Sequence, residues 1–135
     1  MKTELDRLCD KRRVRIDARY GVDHVLDDEW KHDEWKRTAH PWTVTLRYHG
    51  RRLTVPFFMG SALDHEPTAA DVLSCLLSDA TSFENAGSFE EWAREYGFDT
   101  DSRKAERIYR ELENLAPKVR RLLGDDFDTF ARAEH

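Results

Sequence analysis

The sequence predicts an α+β domain in which a three-stranded antiparallel sheet precedes a helical half. Apolar and polar residues alternate over 13–20, 42–48 and 52–59, which is the pattern of half-buried strands. A His-Gly pair separates the last two segments, as in a hairpin. From about residue 68 onward, apolar residues recur every three or four positions, which indicates amphipathic helices.

The length and composition bound the domain organisation. The chain has 135 residues, enough for one hydrophobic core, so we predict a single domain over 1–135. Hydrophobic residues make up 39% and charged residues 36%, which implies a densely charged surface. Because we find no signal peptide and no apolar run of about 18 residues, we expect a cytoplasmic protein without a membrane partner.

The N-terminal residues predict a short amphipathic helix followed by the first strand. Leu5, Leu8 and Cys9 share one helical face, and Thr3 is placed to cap the helix. The strand that follows alternates charged residues with a less polar set, which comprises Val14, Ile16, Ala18 and Tyr20.

Residues 22–40 fit neither a helix nor a strand, so they are predicted to form a connector. The tetrapeptide Asp-Glu-Trp-Lys occurs in it twice, at 28–31 and 33–36. A buried tryptophan brings a large apolar area and one N–H that needs a partner. Two interpretations stay open: Trp30 and Trp35 fold back as a lid on the core, or at least one of them anchors a partner.

The hairpin is predicted to bury one face of its strands and expose the other. Pro56 has no N–H to donate, so we expect the strand at 52–59 to lie at a sheet edge or to carry a bulge. The face predicted to point outward is polar and basic, and consists of Thr43, Thr45, Arg47, Arg51, Arg52 and Thr54.

The helical half is predicted to contain helices at about 68–80, 89–97 and 101–123. Thr68 with Asp71, and Ser88 with Glu91, have the spacing of capping boxes.

The last of these helices is expected to begin at Thr100 or Asp101. Pro117 lies inside it and predicts a kink or a break near 115–116. Residues 125–135 are predicted to be a loose tail.

No motif in the sequence predicts catalysis, a cofactor or a metal site. The histidines lack the spacings of zinc sites, and glycine-rich phosphate loops and nucleophile elbows are missing. Residues 99–103 resemble the start of a calcium loop, but its later glycine and glutamate are replaced. Cys9 and Cys75 lack a CxxC partner, so we expect buried free thiols. The sequence therefore favours a non-enzymatic protein.

The charge of the chain reverses sign within the helical half. Residues 79–101 include seven acids and one base, whereas residues 102–121 include seven bases and three acids. Either both blocks are solvated faces without a binding role, or they steer a charged partner. The candidate acidic surface consists of Glu84, Glu90, Glu91, Glu95, Asp99 and Asp101. The candidate nucleic-acid-binding set is Arg47, Arg51, Arg52, Arg103, Lys104 and Arg107.

Several runs between Trp42 and Phe127 resemble a widespread group of small, mostly uncharacterised bacteriophage and prophage proteins. These runs are WTVTLRYHGRRLTVPFFMG, PTAADVLSCLLSDA, FEEW, DTDSRKAER and RRLLGDDF. The resemblance implies an accessory phage protein in a bacterial cytoplasm. Such proteins include anti-CRISPR proteins, which occupy a surface of a nuclease or surveillance complex.

Two functions are therefore predicted for the chain. The first is an inhibitor that binds a host protein complex such as a CRISPR effector, with the acidic surface in a nucleic-acid groove and Trp30 or Trp35 as an apolar anchor. The alternative is a nucleic-acid-binding accessory protein that uses the basic hairpin and the last helix.

Overall fold

The computed structural model describes residues 2–21, 40–59 and 65–134, and it confirms the predicted α+β architecture. The elements are α1 (Glu4–Arg12), β1 (Arg15–Tyr20), β2 (His40–Tyr48), β3 (Arg51–Met59), α2 (Ala69–Ala86), α3 (Phe89–Glu95), α4 (Arg103–Leu123), a 3₁₀ turn (Gly124–Asp126) and α5 (Phe127–Glu134). The connector residues 22–39, with Trp30 and Trp35, lie outside the described residues.

The sheet has the strand order β1-β2-β3, with both pairs antiparallel. Leu46 lies at its centre, opposite Ile16 on one side and Leu53 on the other. Because successive side chains point to opposite faces, one face is apolar and packs against the helices. β3 is an edge strand, as predicted from Pro56. Proline has no N–H to donate, and an edge strand tolerates this because one of its sides has no neighbouring strand.

The hairpin turn depends on two residues with positive φ. His49 has a φ of 50° and Gly50 a φ of 77°, which is the two-residue turn that matches the twist of paired strands. The His49 ring lies 4.1 Å, centroid to centroid, from the ring of the buried Tyr48. The turn thereby fixes the register of the residues on either side of it.

The main core forms between the sheet and the helices. The predicted capping box at the start of α2 is present, since the Thr68 hydroxyl accepts from the Asp71 N–H and the Asp71 carboxylate accepts from the Thr68 N–H. α2 continues to Ala86, further than the predicted end near residue 80. The same helix leaves Cys75 exposed, so the prediction of a buried thiol there is wrong, whereas Cys9 is buried.

Two expectations about α4 are corrected. Ser102 caps the helix by accepting from the Ala105 N–H, so neither Thr100 nor Asp101 begins it. The helix runs from Arg103 to Leu123 through Pro117, which excludes the break, one of the two outcomes that Pro117 predicted. Pro117 is exposed, while Ala116 and Val119 beside it are buried and hold the helix to the core.

The predicted loose tail is instead a 3₁₀ turn followed by helix α5. Phe127, Phe130 and Ala133 are buried at three-residue steps along it. The Phe130 ring meets the Tyr48 ring edge to face, with centroids 5.5 Å apart. Apolar burial therefore orders this short helix, which its own length would not stabilise.

A second, smaller hydrophobic cluster lies apart from the main core. This satellite cluster joins Trp92 and Ala93 of α3 to Ala86, Ala105 and Leu112. The Trp92 and Phe98 rings stack, with centroids 5.5 Å apart. Ser88 caps α3 by accepting from the Glu91 N–H, which is one half of the predicted capping box.

Among the described residues, no helix is both long and apolar enough to span a membrane.

Candidate functional site

The outward face of the sheet carries a row of three arginines. In the strand register Arg15 lies opposite Arg47, and Arg47 lies opposite Arg52. All three side chains are exposed. Since neighbouring strands lie about 4.8 Å apart, the row crosses about 10 Å of the sheet. We call these residues the arginine row.

The arginine row is only partly balanced by acids within the part of the chain that the structure describes. Arg47 Nε donates to Asp17 Oδ2 at 3.0 Å, across an exposed part of the sheet. No ion pair is found for Arg15 or Arg52 in residues 2–21, 40–59 and 65–134. Like charges directly opposite each other on neighbouring strands destabilise a sheet. The row therefore has no evident role in stabilising the fold.

The next row along the strands is polar and contains Asp17, Thr45 and Thr54. The hydroxyls of Thr45 and Thr54 hydrogen-bond to each other at 2.8 Å. In the row beyond, Thr43 is buried and its hydroxyl donates to the Gly21 carbonyl at 2.7 Å. These rows supply hydrogen-bonding groups and a further exposed arginine, Arg19, which lies opposite Thr43.

A shallow groove of about 700 Å³ lies between β3 and α4 and adjoins the arginine row at Arg52. Among the described residues that line it, Arg51, Arg52, Lys118 and Arg121 are basic and none is acidic. Arg52 belongs to both the row and this basic groove, so the two form one surface. We call Arg15, Arg47, Arg52, Lys118 and Arg121 together the basic end.

Arg51 does not point outward as predicted. It lies opposite Tyr48 on the helix-facing side of the sheet, where its Nε donates to the Leu122 carbonyl at 2.9 Å. Its guanidinium carbon lies 6.0 Å from the centre of the Tyr48 ring. Adjacent residues in a strand face opposite sides, so Arg51 and Arg52 cannot share a face.

The structure also separates the candidate bases of α4 from the hairpin. Arg103, Lys104 and Arg107 lie in the first turns of α4, whereas the groove beside Arg52 is lined by Lys118 and Arg121. With a rise of about 1.5 Å per residue, Lys104 and Arg121 lie about 26 Å apart along the helix. The sequence pointed to the last helix but did not single out Lys118 and Arg121, and it missed Arg15, because only the tertiary arrangement joins these residues to the hairpin.

Glu84 is separated from the other candidate acids. Its carboxylate binds Arg120, with Nε at 2.9 Å from Oε1 and Nη2 at 2.6 Å from Oε2. This two-pronged pair raises the pKa of the Arg120 guanidinium through the hydrogen bond to Glu84. Arg120 also lies over the Phe127 ring, at 3.9 Å from its centre. Glu84 therefore has an internal role in joining α2 to α4.

The remaining candidate acids are exposed around α3 and the start of α4. No ion pair is found for them within the part of the chain that the structure describes. Two of them, Glu90 and Glu91, lie in the first turn of α3, where negative charge complements the helix dipole. We call this set the acidic end; it comprises Glu90, Glu91, Glu95, Asp99 and Asp101.

A polar network ties the hairpin to the helices near the basic end. The Tyr48 hydroxyl donates to Asp126 Oδ2 at 2.5 Å, and Arg12 Nη1 lies 3.5 Å from Asp126 Oδ1. Burial, together with the Asp126 carboxylate, raises the pKa of Tyr48. Among the described residues no group of His, Cys, Asp and Glu side chains is arranged to hold a metal ion.

No family model, curated protein or solved structure matches the chain. The resemblance to phage accessory proteins therefore stays a prediction, and the partner must be inferred from the charged surfaces.

Proposed function

We propose that the protein binds the phosphate backbone of nucleic acid through its basic end. The arginine row carries the proposal, because Arg15 and Arg52 each lie directly opposite Arg47 and neither has an acidic partner in the described residues. Phosphate groups would relieve this repulsion. Guanidinium groups suit the task because they can donate two parallel hydrogen bonds to one phosphate.

The shape of the basic end favours a polymer over a single small anion. It crosses three strands and continues to Lys118 and Arg121 on α4. A single phosphate contacts only part of such a surface, whereas a chain of phosphates can contact all of it. Backbone contacts fix the position of a protein on nucleic acid without reading its sequence. We therefore expect weak sequence preference.

The number of cations sets the expected salt dependence. The basic end has five basic residues: Arg15, Arg47, Arg52, Lys118 and Arg121. Each phosphate neutralised on duplex DNA contributes about −0.9 to the slope of log affinity against log salt. The slope should therefore be no steeper than about −4.5.

Fluorescence anisotropy with a short labelled duplex tests this proposal. The triple variant Arg15→Glu/Arg47→Glu/Arg52→Glu should weaken binding by at least about 100-fold at low salt, because three contacts become repulsive. A matched control, Arg94→Glu/Arg103→Glu/Lys104→Glu, makes the same change in net charge on α3 and at the start of α4, away from the basic end. It should retain most of the wild-type affinity. Equal losses in both variants, or a wild type that does not bind, would refute the proposal.

The acidic end favours a second candidate function. Its five exposed carboxylates, Glu90, Glu91, Glu95, Asp99 and Asp101, could imitate a run of phosphates. In this second proposal, the protein is a phage-type accessory protein in a bacterial cytoplasm. It inhibits a host complex, such as a CRISPR effector, by occupying its nucleic-acid groove.

A pull-down from bacteria that express a CRISPR effector tests the second candidate. The wild-type protein should recover a component of the complex, and Glu90→Lys/Glu91→Lys/Glu95→Lys should not. Recovery by the arginine-row variant but not by the acidic variant would assign binding to the acidic end. If the wild type recovers no such component, this candidate is abandoned.

A further inference from the structure

Two adjacent arginines of the hairpin lie on opposite faces of β3. Arg52 is opposite Arg47 and belongs to the exposed arginine row. Arg51 is opposite Tyr48 and reaches the end of α4. The sequence pattern Arg-Arg thus places one cation at the outward surface and one between the sheet and a helix.

The contacts of Arg51 are those of a helix C-terminal cap from outside the helix. The last carbonyls of an α-helix lack partners within the helix. Arg51 Nε donates to one of them, that of Leu122, at 2.9 Å. Its positive charge also lies at the helix end where the dipole favours a cation.

Gly124 provides the space for this contact. A Cβ at this position would lie 3.2 Å from Arg51 Nη2, closer than most side-chain contacts allow. Gly124 also has a φ of 56° and a ψ of −133°, a conformation that other residues rarely adopt. The guanidinium of Arg51 and the backbone of Gly124 therefore fit against each other at the end of α4.

The contact with Leu122 has a consequence for the basic groove. Lys118 lies one helical turn before Leu122, and Lys118 and Arg121 line the groove with Arg52. The hydrogen bond from Arg51 to the Leu122 carbonyl therefore holds the helical turn that carries Lys118 and Arg121 at a set distance from β3. Movement of the helix end would separate the two halves of the basic end.

We infer that Arg51 is a positioning residue that fixes the end of α4 to the hairpin and so forms the basic groove, while Arg52 contacts the nucleic acid. This inference rests on the proposed binding of nucleic acid at the basic end. It assigns different roles to two neighbouring residues of the same type.

A double-mutant cycle with the full chain and a labelled duplex tests the inference. Arg51→Ala and Lys118→Ala/Arg121→Ala should each weaken binding by about tenfold, and the triple variant by no more than about twofold beyond either. Arg51→Lys keeps the charge but lacks the Nε–H, so it should bind as weakly as Arg51→Ala. Additive losses, or wild-type affinity in Arg51→Lys, would overturn the inference by showing that Arg51 contacts the ligand directly.

Hydrogen exchange without nucleic acid provides a readout that does not depend on binding. Arg51→Ala should speed exchange of the amides at 120–124 by about tenfold, and the control Arg52→Ala should leave them unchanged. Unchanged exchange in Arg51→Ala overturns the positioning role even if the wild type binds. A wild type that fails to bind refutes the proposed function instead.

Discussion

The basic end and the acidic end both gather like charges, but the fold explains only one of them. Glu90 and Glu91 lie in the first turn of α3, and Asp99 and Asp101 precede the cap of α4. Negative charge at these places is favoured by the helix dipole. Within the described residues the arginine row has less compensation, since Arg47 faces an arginine on each neighbouring strand and only Arg47 of the three has an acidic partner, Asp17. The difference supports the proposal that the arginines, more than the acids, bind an external partner.

The two ends also differ in how they are supported. The acidic end surrounds the satellite cluster, which gathers α3, the end of α2 and the first half of α4. The basic end lies over the main core and depends on the pairing of β1, β2 and β3. Damage to one hydrophobic cluster should therefore affect one end more than the other.

The largest expected effect comes from Trp92→Ala. Trp92 is buried and contacts four other rings, Phe89, Tyr96, Phe98 and Tyr109. Its removal should lower the free energy of unfolding by about 3–5 kcal/mol. Urea denaturation measures the decrease in the free energy of unfolding. Hydrogen exchange should show that the amides of residues 89–112 lose protection first. If the amides of the sheet lost protection equally early, the acidic end and the basic end would not unfold independently.

Alkaline pH should weaken a contact beneath the basic end. The pKa of Tyr48 is raised above its ordinary value near 10, first by burial and then by Asp126. A raised folded-state pKa means that this stability is present below about pH 10 and is lost as the pH rises through the folded-state pKa. Tyr48→Phe should remove part of this loss, and at neutral pH it should cost about 1 kcal/mol because one hydrogen bond is absent.

Tyr109 provides the matching comparison at the acidic end. Its pKa is also raised, first by burial and then by Glu113 and Glu90. Glu113→Gln should therefore lower the pKa of Tyr109 and leave that of Tyr48 unchanged. Tyrosinate absorbance during an alkaline titration of the single Tyr→Phe variants measures both. A shift of the two tyrosines together would contradict this assignment.

Removing charge should change stability in opposite directions at the two ends. Arg52→Thr relieves repulsion with Arg47 and should raise the free energy of unfolding by about 0.2–1 kcal/mol. Glu90→Gln should lower it by about 0.3–1 kcal/mol, because a favourable interaction with the helix dipole is lost.

Urea denaturation at low salt compares these two variants, and both effects should shrink at high salt. Lys118→Gln is a control, since Lys118 faces no paired charge in the described residues and should change stability by less than about 0.5 kcal/mol. If Arg52→Thr lowers the free energy of unfolding, the arginine row stabilises the fold and is no longer evidence for a partner.

The features that the sequence predicts correctly depend on residues close together in the chain. The caps at Thr3 and Thr68 each involve a residue three positions away. The hairpin is predicted by the alternation of apolar and polar residues on both sides of Gly50, which has the positive φ that the turn requires. α5 is also local, yet its few apolar residues do not distinguish a helix from a loose tail until burial in the main core is known.

The features that could not be predicted depend on residues far apart in the chain. The arginine row requires the register between β1 and β2, which the connector at 22–39 separates in sequence. The basic groove requires the position of the end of α4 against the hairpin. Alternation alone could have placed Arg51 and Arg52 on opposite faces, and this signal was available in the sequence.

The smallest expected effect concerns Asp17, the acid that pairs with the arginine row among the described residues. Its carboxylate holds Arg47 at 3.0 Å, and both side chains are at least half exposed. Such exposed pairs contribute at most about 1 kcal/mol, so Asp17→Asn should change stability little. A phosphate must compete with Asp17 for Arg47. Since two unit charges about 4 Å apart in water interact by about 1 kcal/mol, Asp17→Asn should tighten nucleic-acid binding by up to about fivefold.

Glu95→Gln is the matched control for this variant, because it removes one exposed acid at the acidic end. Anisotropy titrations at low salt should show tighter binding for Asp17→Asn than for Glu95→Gln, and the difference should shrink as salt is added. Equal gains in the two variants would mean that net charge, and not the position beside Arg47, controls affinity. Only a gain confined to Asp17 would show that the phosphates lie along the arginine row.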